Sequence, residues 1–159
     1  MLRPAVEAQV EAVAPPVSLD IEGTDIDVKV IDVGITDDDE MEIPDSFHEA
    51  GWYRYGPAPG APAGNAVLAA HIDIGTEAMP FARLKDVEIG TIITVGREDG
   101  SRVTYRVTAV RNEPKVSLDT EELFRRDGDP QLVIVTCGGA WLSDREDYED
   151  NVVLTASPL

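Results

Sequence analysis

The stretch LVIVTCGG, residues 132–139, decides the fold prediction and carries the only cysteine of the chain. Its four leading β-prone apolar residues are typical of a buried strand. We predict that Thr136 closes this strand and that Gly138 and Gly139 release the backbone into a loop. Cys137 then lies at the exit of a rigid element, where a nucleophile is both positioned and accessible. The alternative is that a lone cysteine serves as a small buried hydrophobic residue.

Length, charge and cysteine content limit the classes of function. The 159 residues suffice for one domain with a sizeable core. The 31 Asp and Glu residues outnumber the 13 Lys and Arg residues, for a formal net charge of −18. This excess argues against nucleic-acid binding and against docking on an anionic membrane, because both need clustered cations. A single cysteine excludes an internal disulfide framework and a cysteine-rich metal site, and we expect no cofactor.

The N-terminal segment differs in composition from the rest of the chain. Residues 1–16 end in Pro15-Pro16 and are interpreted as a linker or docking arm, and residues 17–159 as one domain. No run of about 18 apolar residues is present, so no transmembrane helix is predicted. No basic-plus-apolar signal peptide opens the chain.

Short β-prone segments dominate the domain. Asp99-Gly100 between two such segments is the clearest hairpin signal. About eight strands with few helices predict a mainly β fold, either a barrel or a sandwich. Short helices or turns are expected at residues 79–84 and 117–124. The predicted strands cover residues 17–21, 26–33, 52–55, 65–70, 91–95, 102–110, 132–136 and 151–156.

An acidic run, Asp37-Asp38-Asp39-Glu40, follows the second predicted strand. We interpret it as the turn of a hairpin. A calcium site is the alternative, because carboxylate oxygens suit that ion, although the spacing fits no recognised calcium-binding loop.

Two histidines are available as partners for the thiol. His48 lies in a polar turn and is interpreted as a surface residue. His71 has a position like that of Cys137, since it follows the buried strand 65–70 at the start of a loop. A nearby imidazole can activate a thiol and later protonate a leaving amine. Asp73 either orients this ring or is an ordinary loop carboxylate.

Several motifs together resemble a known family. Leu132–Cys137 resembles the TLxTC signature of sortases, the cysteine transpeptidases of Gram-positive cell surfaces. Further motifs are similar to the actinobacterial class E/F branch and occur in the family's order. The resemblance covers about residue 17 to the C-terminus and implies an eight-stranded sortase-type β-barrel, with Cys137 and His71 at neighbouring strand ends. These further motifs are GWYRYGP (51–57), AAHID (69–73), VTCGG (135–139) and YEDNVV (148–153).

The resemblance also implies a reaction. Cys137 attacks the Thr–Gly carbonyl of an LPxTG-like sorting signal and forms an acyl-thioester. An amine from a cell-wall precursor or a pilin lysine then releases the product, and water in its place gives hydrolysis. His71 acts as general acid and base, and Thr136 and Gly138 contact the substrate.

The family also implies a location at the outer face of the cell membrane, usually through a single N-terminal helix. This sequence contains no such helix. We therefore expect either a trimmed ectodomain or another form of anchoring.

The chain departs from the family at the third catalytic residue. Sortases usually carry an arginine at the start of the last strand, which donates hydrogen bonds to the developing oxyanion. Residues 148–151 contain no arginine. Asn151, whose amide is a neutral donor, is nearest that role, and Arg145 in the loop after Cys137 is the other candidate. The alternative for Asn151 is a turn residue at the start of the strand, and the alternative for Arg145 is a member of an exposed ion pair. A Glu149 carboxylate facing the site would oppose formation of the oxyanion.

Three functions follow from these observations. The first is an active transpeptidase. The second is a catalytically impaired sortase-like module that binds a peptide without processing it, which the missing arginine favours and the presence of both His71 and Cys137 opposes. The third is a structural β-domain with an incidental cysteine.

Overall fold

A computed structural model describes most of the chain. It covers residues 13–35, 37, 41–44, 48–74, 77–78, 80–114, 120–142 and 147–159. For residues 73–74, 77–78, 114, 120, 137–142 and 147–150 the description is of the backbone. Most of the predicted N-terminal arm, residues 1–12, lies outside it, and the first strand begins at Pro16.

Within these residues the chain forms ten strands, a 3-10 helix at Pro80–Asp86 and a one-turn α-helix at Thr120–Leu123. The predicted hairpin is confirmed, because β7 and β8 pair antiparallel and Gly100 has a φ of 88° in the turn. The strands are β1 (Pro16–Ile21), β2 (Asp27–Val33), β3 (Glu49–Tyr53), β4 (Asn65–Ala70), β5 (Asp73–Ile74), β6 (Glu77–Ala78), β7 (Ile92–Arg97), β8 (Arg102–Pro114), β9 (Gln131–Leu142) and β10 (Asp147–Pro158).

Eight of the strands close into a barrel, which confirms the predicted architecture. Their order is β1-β2-β3-β4-β9-β10-β8-β7, and β7 pairs back onto β1. The β2–β3 and β4–β9 pairs are parallel, and the other barrel pairs are antiparallel. The two short strands β5 and β6 form a separate hairpin directly after His71. Closure pairs every strand of the barrel on both sides, so none of the eight is an exposed edge.

Two apolar clusters lie on opposite faces of the same strands. The barrel interior contains Leu68 and Ile134, and the 3-10 helix adds Phe81 and Leu84, all fully buried. The second cluster lies on the outer face and joins Val67, Val133, Val135 and Val153 to Leu123 of the one-turn helix. Burial on both faces explains why β4 and β9 are continuous apolar runs rather than alternating ones.

The prediction that β9 ends at the paired glycines is wrong. The strand continues to Leu142, and Cys137 lies within it. Gly138 pairs with Asp150 and Trp141 with Tyr148, so β9 has one residue more than β10 in this interval. This is a β-bulge, a feature that glycines accommodate and that is common beside active sites. The last strand is also longer than predicted, since it begins at Asp147 rather than at residue 151.

Leu68 tests how strongly the fold depends on the β4–β9 pair. It is fully buried and pairs with Ile134. We expect Leu68→Ala to lower the free energy of unfolding by about 2–5 kcal/mol, because it leaves a cavity in the barrel interior. Ile89→Ala is the control, since Ile89 is 72% exposed, and it should cost less than about 0.5 kcal/mol. Denaturant titration of both variants measures the difference, and equal losses would contradict this account of the core.

Candidate active site

The parallel pairing of β4 and β9 brings the thiol and the imidazole positions together. Ala70 pairs with Thr136, and His71 and Cys137 are the next residues of the two chains. Adjacent strands lie about 4.8 Å apart, so the backbone positions 71 and 137 follow neighbouring strands at the same edge. His71 is half-buried.

A third candidate lies on the other side of Cys137. Asn151 pairs with Cys137 across β10 and β9, and the same Asn151 pairs with Glu113 across β10 and β8. His71, Cys137, Asn151 and Glu113 therefore follow one another across four neighbouring chain segments at one level of the barrel. We call these four positions the site row. Asn151 is half-buried, and the side chain of Glu113 is 30% exposed.

The site row belongs to the outer face of the barrel. Successive strand residues alternate between faces, so position 137 shares the face of Val133 and Val135. Asn151 likewise shares the face of Val153, which packs in the same outer cluster. A peptide can approach this face without entering the barrel interior.

Thr136 lies on the opposite face from position 137. It is 2% exposed, and its hydroxyl has no hydrogen-bond partner within the described parts of the chain. The expectation that Thr136 contacts the substrate stays a prediction, and burial of its side chain restricts such a contact to its main chain. Gly138, the other expected substrate contact, pairs with Asp150 at the beginning of the bulge.

Asn65 attaches the one-turn helix to the outer face. Its Nδ2 atom donates hydrogen bonds to the carbonyl oxygens of Glu122 and Leu123, at 3.0 and 3.1 Å. Its backbone N–H donates to the carbonyl of Arg125 at 2.9 Å. The residue is 4% exposed, and its Oδ1 atom has no partner among the residues that the structure describes.

Beside this helix lies a cavity of about 460 Å³ on the outer face of β8, β10 and β9. Asn65 and Gln131 border one end of it, and these two residues pair at the start of β4 and β9. Arg111 and Glu113 border the other end, at the level of the site row. Its remaining lining residues are Thr108, Ala109, Glu122, Leu123, Val133, Val153 and Thr155.

The segment 122–126 also packs against Tyr53, the last residue of β3, and Tyr55 in the turn after it. The Phe124 and Tyr53 rings meet edge-on with centroids 5.0 Å apart, and the Tyr53 and Tyr55 rings lie 5.8 Å apart. Arg126 donates a hydrogen bond from Nη2 to the Tyr55 carbonyl. The segment 122–126 therefore lies between an aromatic surface over β3 and the cavity over β8 and β10.

Two ion pairs border the cavity. Nε of Arg111 lies 3.6 Å from Oε1 of Glu113, and Nε of Arg125 lies 3.6 Å from Oε1 of Glu122. Both separations exceed ordinary hydrogen-bond length, so each pair is loosely held. The Glu113 carboxylate has lone pairs beyond those that its arginine can engage.

The remaining sequence candidates fall at different places. Arg145 lies outside the described residues, as do Asp38, Asp39 and Glu40 of the acidic run. His48 is exposed, as expected of a surface residue. Asp73 begins the β5–β6 hairpin, and its role beside His71 stays a prediction.

The described ranges contain no group of three or more His, Cys, Asp or Glu residues that could hold a metal ion. In the same ranges no helix is long and apolar enough to cross a membrane.

The sequence-based reasoning missed Asn65 and Glu113. The local sequence does not indicate a functional role for either residue. It predicts Asn65 only as the first residue of a buried strand and Glu113 only as the polar end of a long strand. Only the strand pairing puts Glu113 at the level of Cys137. Only the packing of the 120–126 segment buries Asn65.

Comparison with known proteins agrees with this geometry. A family model described as Sortase domain matches residues 19–159. The fold is similar to a lid mutant of sortase A from Corynebacterium diphtheriae, with 17% identity, a TM-score of 0.67 and coverage of 93% of this chain and 72% of that one. It is also similar to the sortase D5 transpeptidase of Clostridium perfringens, with 18% identity, a TM-score of 0.65 and coverage of 100% and 89%.

A third similar structure is sortase C-1 from Actinomyces oris, with 17% identity, a TM-score of 0.67 and coverage of 98% and 82%. At these identities the structural likeness establishes the fold alone. Among curated proteins, none matches the sequence significantly.

The pairing of Asn151 with Cys137 predicts a specific cross-link. Paired residues on antiparallel strands have Cα atoms about 4.5–5.5 Å apart, within the range that a disulfide requires. We expect oxidised Asn151→Cys to form an internal disulfide with Cys137, seen as a loss of about 2 Da and resistance to alkylation. Thr155→Cys, four residues along the same face, is the control and should stay reduced. Cross-linking of Thr155→Cys instead would show that the register is wrong.

Proposed function

The chain belongs to the sortase family of cysteine transpeptidases, and we propose that it cleaves an LPxTG-like sorting signal between Thr and Gly and transfers the acyl part to an amine. The observation that carries the proposal is the juxtaposition of Cys137, His71 and Asn151 at one level of the barrel. A thiol, an imidazole and an amide donor at such spacing are what acyl transfer through a thioester requires.

In the first half-reaction the Cys137 thiolate attacks the carbonyl carbon of the substrate threonine. A C–S bond forms, and the carbonyl oxygen takes the negative charge of the tetrahedral intermediate. The intermediate then collapses as the C–N bond to glycine breaks, and the His71 imidazolium gives its proton to the departing amine. The products are the acyl-thioester on Cys137 and a peptide with a free amino terminus.

In the second half-reaction an amine replaces the sulfur. The amine gives a proton to the neutral His71 imidazole as its nitrogen attacks the thioester carbonyl, and the C–S bond breaks to return Cys137. The product is a new amide. Water following the same path gives hydrolysis, so the balance between the two outcomes depends on how well the site binds an amine.

The oxyanion in both half-reactions requires hydrogen-bond donors. Asn151, at the position opposite Cys137, is our first candidate and supplies a neutral amide N–H. Arg145 is the second candidate and would supply a charge. Main-chain groups of Thr136 and Gly138, which flank the thiol in the sequence, complete the substrate contacts in this proposal.

The wider setting is also part of the proposal. We place the enzyme at the outer face of the cell membrane, with a cell-wall precursor or a pilin lysine as acceptor and surface proteins as donors. Membership of the family supports a sorting-signal substrate and an amine acceptor in general terms. The assignment to the class E/F branch stays a prediction from the motifs.

Removal of either reacting group should abolish the chemistry. We expect Cys137→Ala and His71→Ala to lower the rate of Thr–Gly cleavage by about 10³-fold or more, because the two groups act as a unit. Mass spectrometry of the protein with LPxTG-like and LAxTG-like peptides detects the acyl adduct and both cleavage products. His48→Ala is the matched control and should leave the rate unchanged. Cleavage that survives Cys137→Ala would overturn the mechanism.

The third residue is identified by a pair of variants. If Asn151 is the oxyanion donor, Asn151→Ala lowers the acylation rate by about 10²-fold, since one such donor is typically worth that factor. Arg145→Ala then leaves the rate within about twofold, and the reverse pattern assigns the role to Arg145. Peptide binding without adduct or cleavage in the unmodified protein would instead favour the impaired binding module.

A further inference from the structure

We propose that the cavity on the outer face of β8, β10 and β9 is the binding site of the amine acceptor, and that Glu113 receives the acceptor's ammonium group. We call this cavity the acceptor groove, defined by the lining residues named above. The inference rests on the proposed transpeptidase function and specifies where its second substrate lies.

The direction of the groove supports this assignment. It begins at the paired residues Asn65 and Gln131 and ends at Arg111 and Glu113. Gln131 and Cys137 are six residues apart on β9, which corresponds to about 20 Å along the strand. Since Glu113 lies at the level of Cys137, the groove runs lengthwise along the barrel and ends on the site row.

The chemistry of the lining favours a ligand that donates hydrogen bonds. Asn65 is 96% buried, and its Oδ1 atom is an acceptor with no partner among the described residues. The amide cannot reverse to improve this, because Nδ2 already donates to two carbonyl oxygens that an oxygen atom would repel. A buried acceptor of this kind costs free energy until a donor satisfies it. The hydroxyl groups of Thr108 and Thr155 add polar contacts along the wall.

The negative charge of Glu113, at the end of the groove near the site row, favours an amine among such ligands. Glu113 is half-buried, and its ion pair with Arg111 is long at 3.6 Å, so its carboxylate can accept further hydrogen bonds. An ammonium group has three donors and suits this position. Glu113 is two strands from Cys137, or about 10 Å. The bound ammonium loses one proton to water as it leaves Glu113, and the neutral amine then advances to the thioester and gives its second proton to His71. The net charge of −18 also raises the local concentration of a cationic acceptor.

Direct binding tests the groove without catalysis. The protein is Cys137→Ala, and the probes are triglycine and Nα-acetyl-lysine methylamide, which carry a terminal and a side-chain amine respectively. We expect at least one probe to bind and to shift the NMR signals of the Arg111 Nε–H and the Val153 backbone, which line the groove next to Glu113, whereas the same compounds with acetylated amines do not. The probe that binds identifies the kind of amine. If neither amine binds the groove, the inference is wrong.

Two variants of unrelated chemistry test the lining. Glu113→Gln removes the charge and should weaken amine binding about tenfold, the typical effect of losing one charge-assisted hydrogen bond at a half-exposed site. Ala109→Leu fills the groove without removing a polar group and should weaken binding by a similar factor. Glu98→Gln, an exposed carboxylate in the β7–β8 turn, is the control and should have no effect. Loss of binding in Ala109→Leu but not in Glu113→Gln would overturn the role of Glu113.

Kinetics of the intact enzyme separate this inference from the proposed function. In Glu113→Gln and Ala109→Leu we expect the acyl-enzyme to form within about twofold of the unmodified rate, while the KM for the amine rises about tenfold. An unchanged amine KM in both variants would overturn the acceptor groove and leave the transpeptidase function intact. The opposite result is that amines bind in a Glu113-dependent way but no sorting peptide forms an acyl-enzyme. That result would overturn the proposed function and leave an amine-binding groove.

Discussion

The parallel pairing of β4 with β9 is the constraint on which the rest of the structure depends. Parallel strands have their carboxyl ends at the same edge, so residues that follow the two strands meet there. Six consecutive pairs, from Asn65 with Gln131 to Ala70 with Thr136, hold this register. A shift by one residue would turn every side chain of β9 to the opposite face, and both faces are buried. The backbone positions of residues 71 and 137 therefore depend on the same register as the core.

Burial on both faces has a consequence outside the barrel. The outer valines of β4, β9 and β10 need a cover, which the one-turn helix supplies through Leu123. Asn65 holds that helix by two hydrogen bonds to its last carbonyl groups. The cover leaves part of the face over β8 and β10 open, and that opening is the acceptor groove of our proposal. One packing requirement thus stabilises the fold and shapes the surface beside the site row.

The proposed role of Asn151 has a consequence for the activation free energy. A hydrogen bond from an arginine to an oxyanion is worth about 1.5–3 kcal/mol, whereas one from a neutral amide is worth about 0.5–1.5 kcal/mol. If Asn151 is the oxyanion donor, as we propose, the oxyanion is less strongly stabilised than it would be by a guanidinium. The difference corresponds to about tenfold in rate, which is small beside the effect of losing the thiol or the imidazole.

The sequence by itself determined the strand content, the hairpin at Asp99-Gly100 and, through its family motifs, the barrel, because apolar periodicity, turn chemistry and short motifs are local. It also predicts Cys137 and His71 as the reacting pair, and that assignment stays a prediction. It misjudged the end of β9, since Gly138-Gly139 is compatible with a loop and with a bulge, and only pairing with β10 selects the bulge. Tertiary structure alone decided three features. It aligned Asn151 and Glu113 with Cys137, it buried Asn65, and it formed the groove that extends from Asn65 to Glu113. These features arise from register and packing between segments far apart in sequence, which no local pattern encodes.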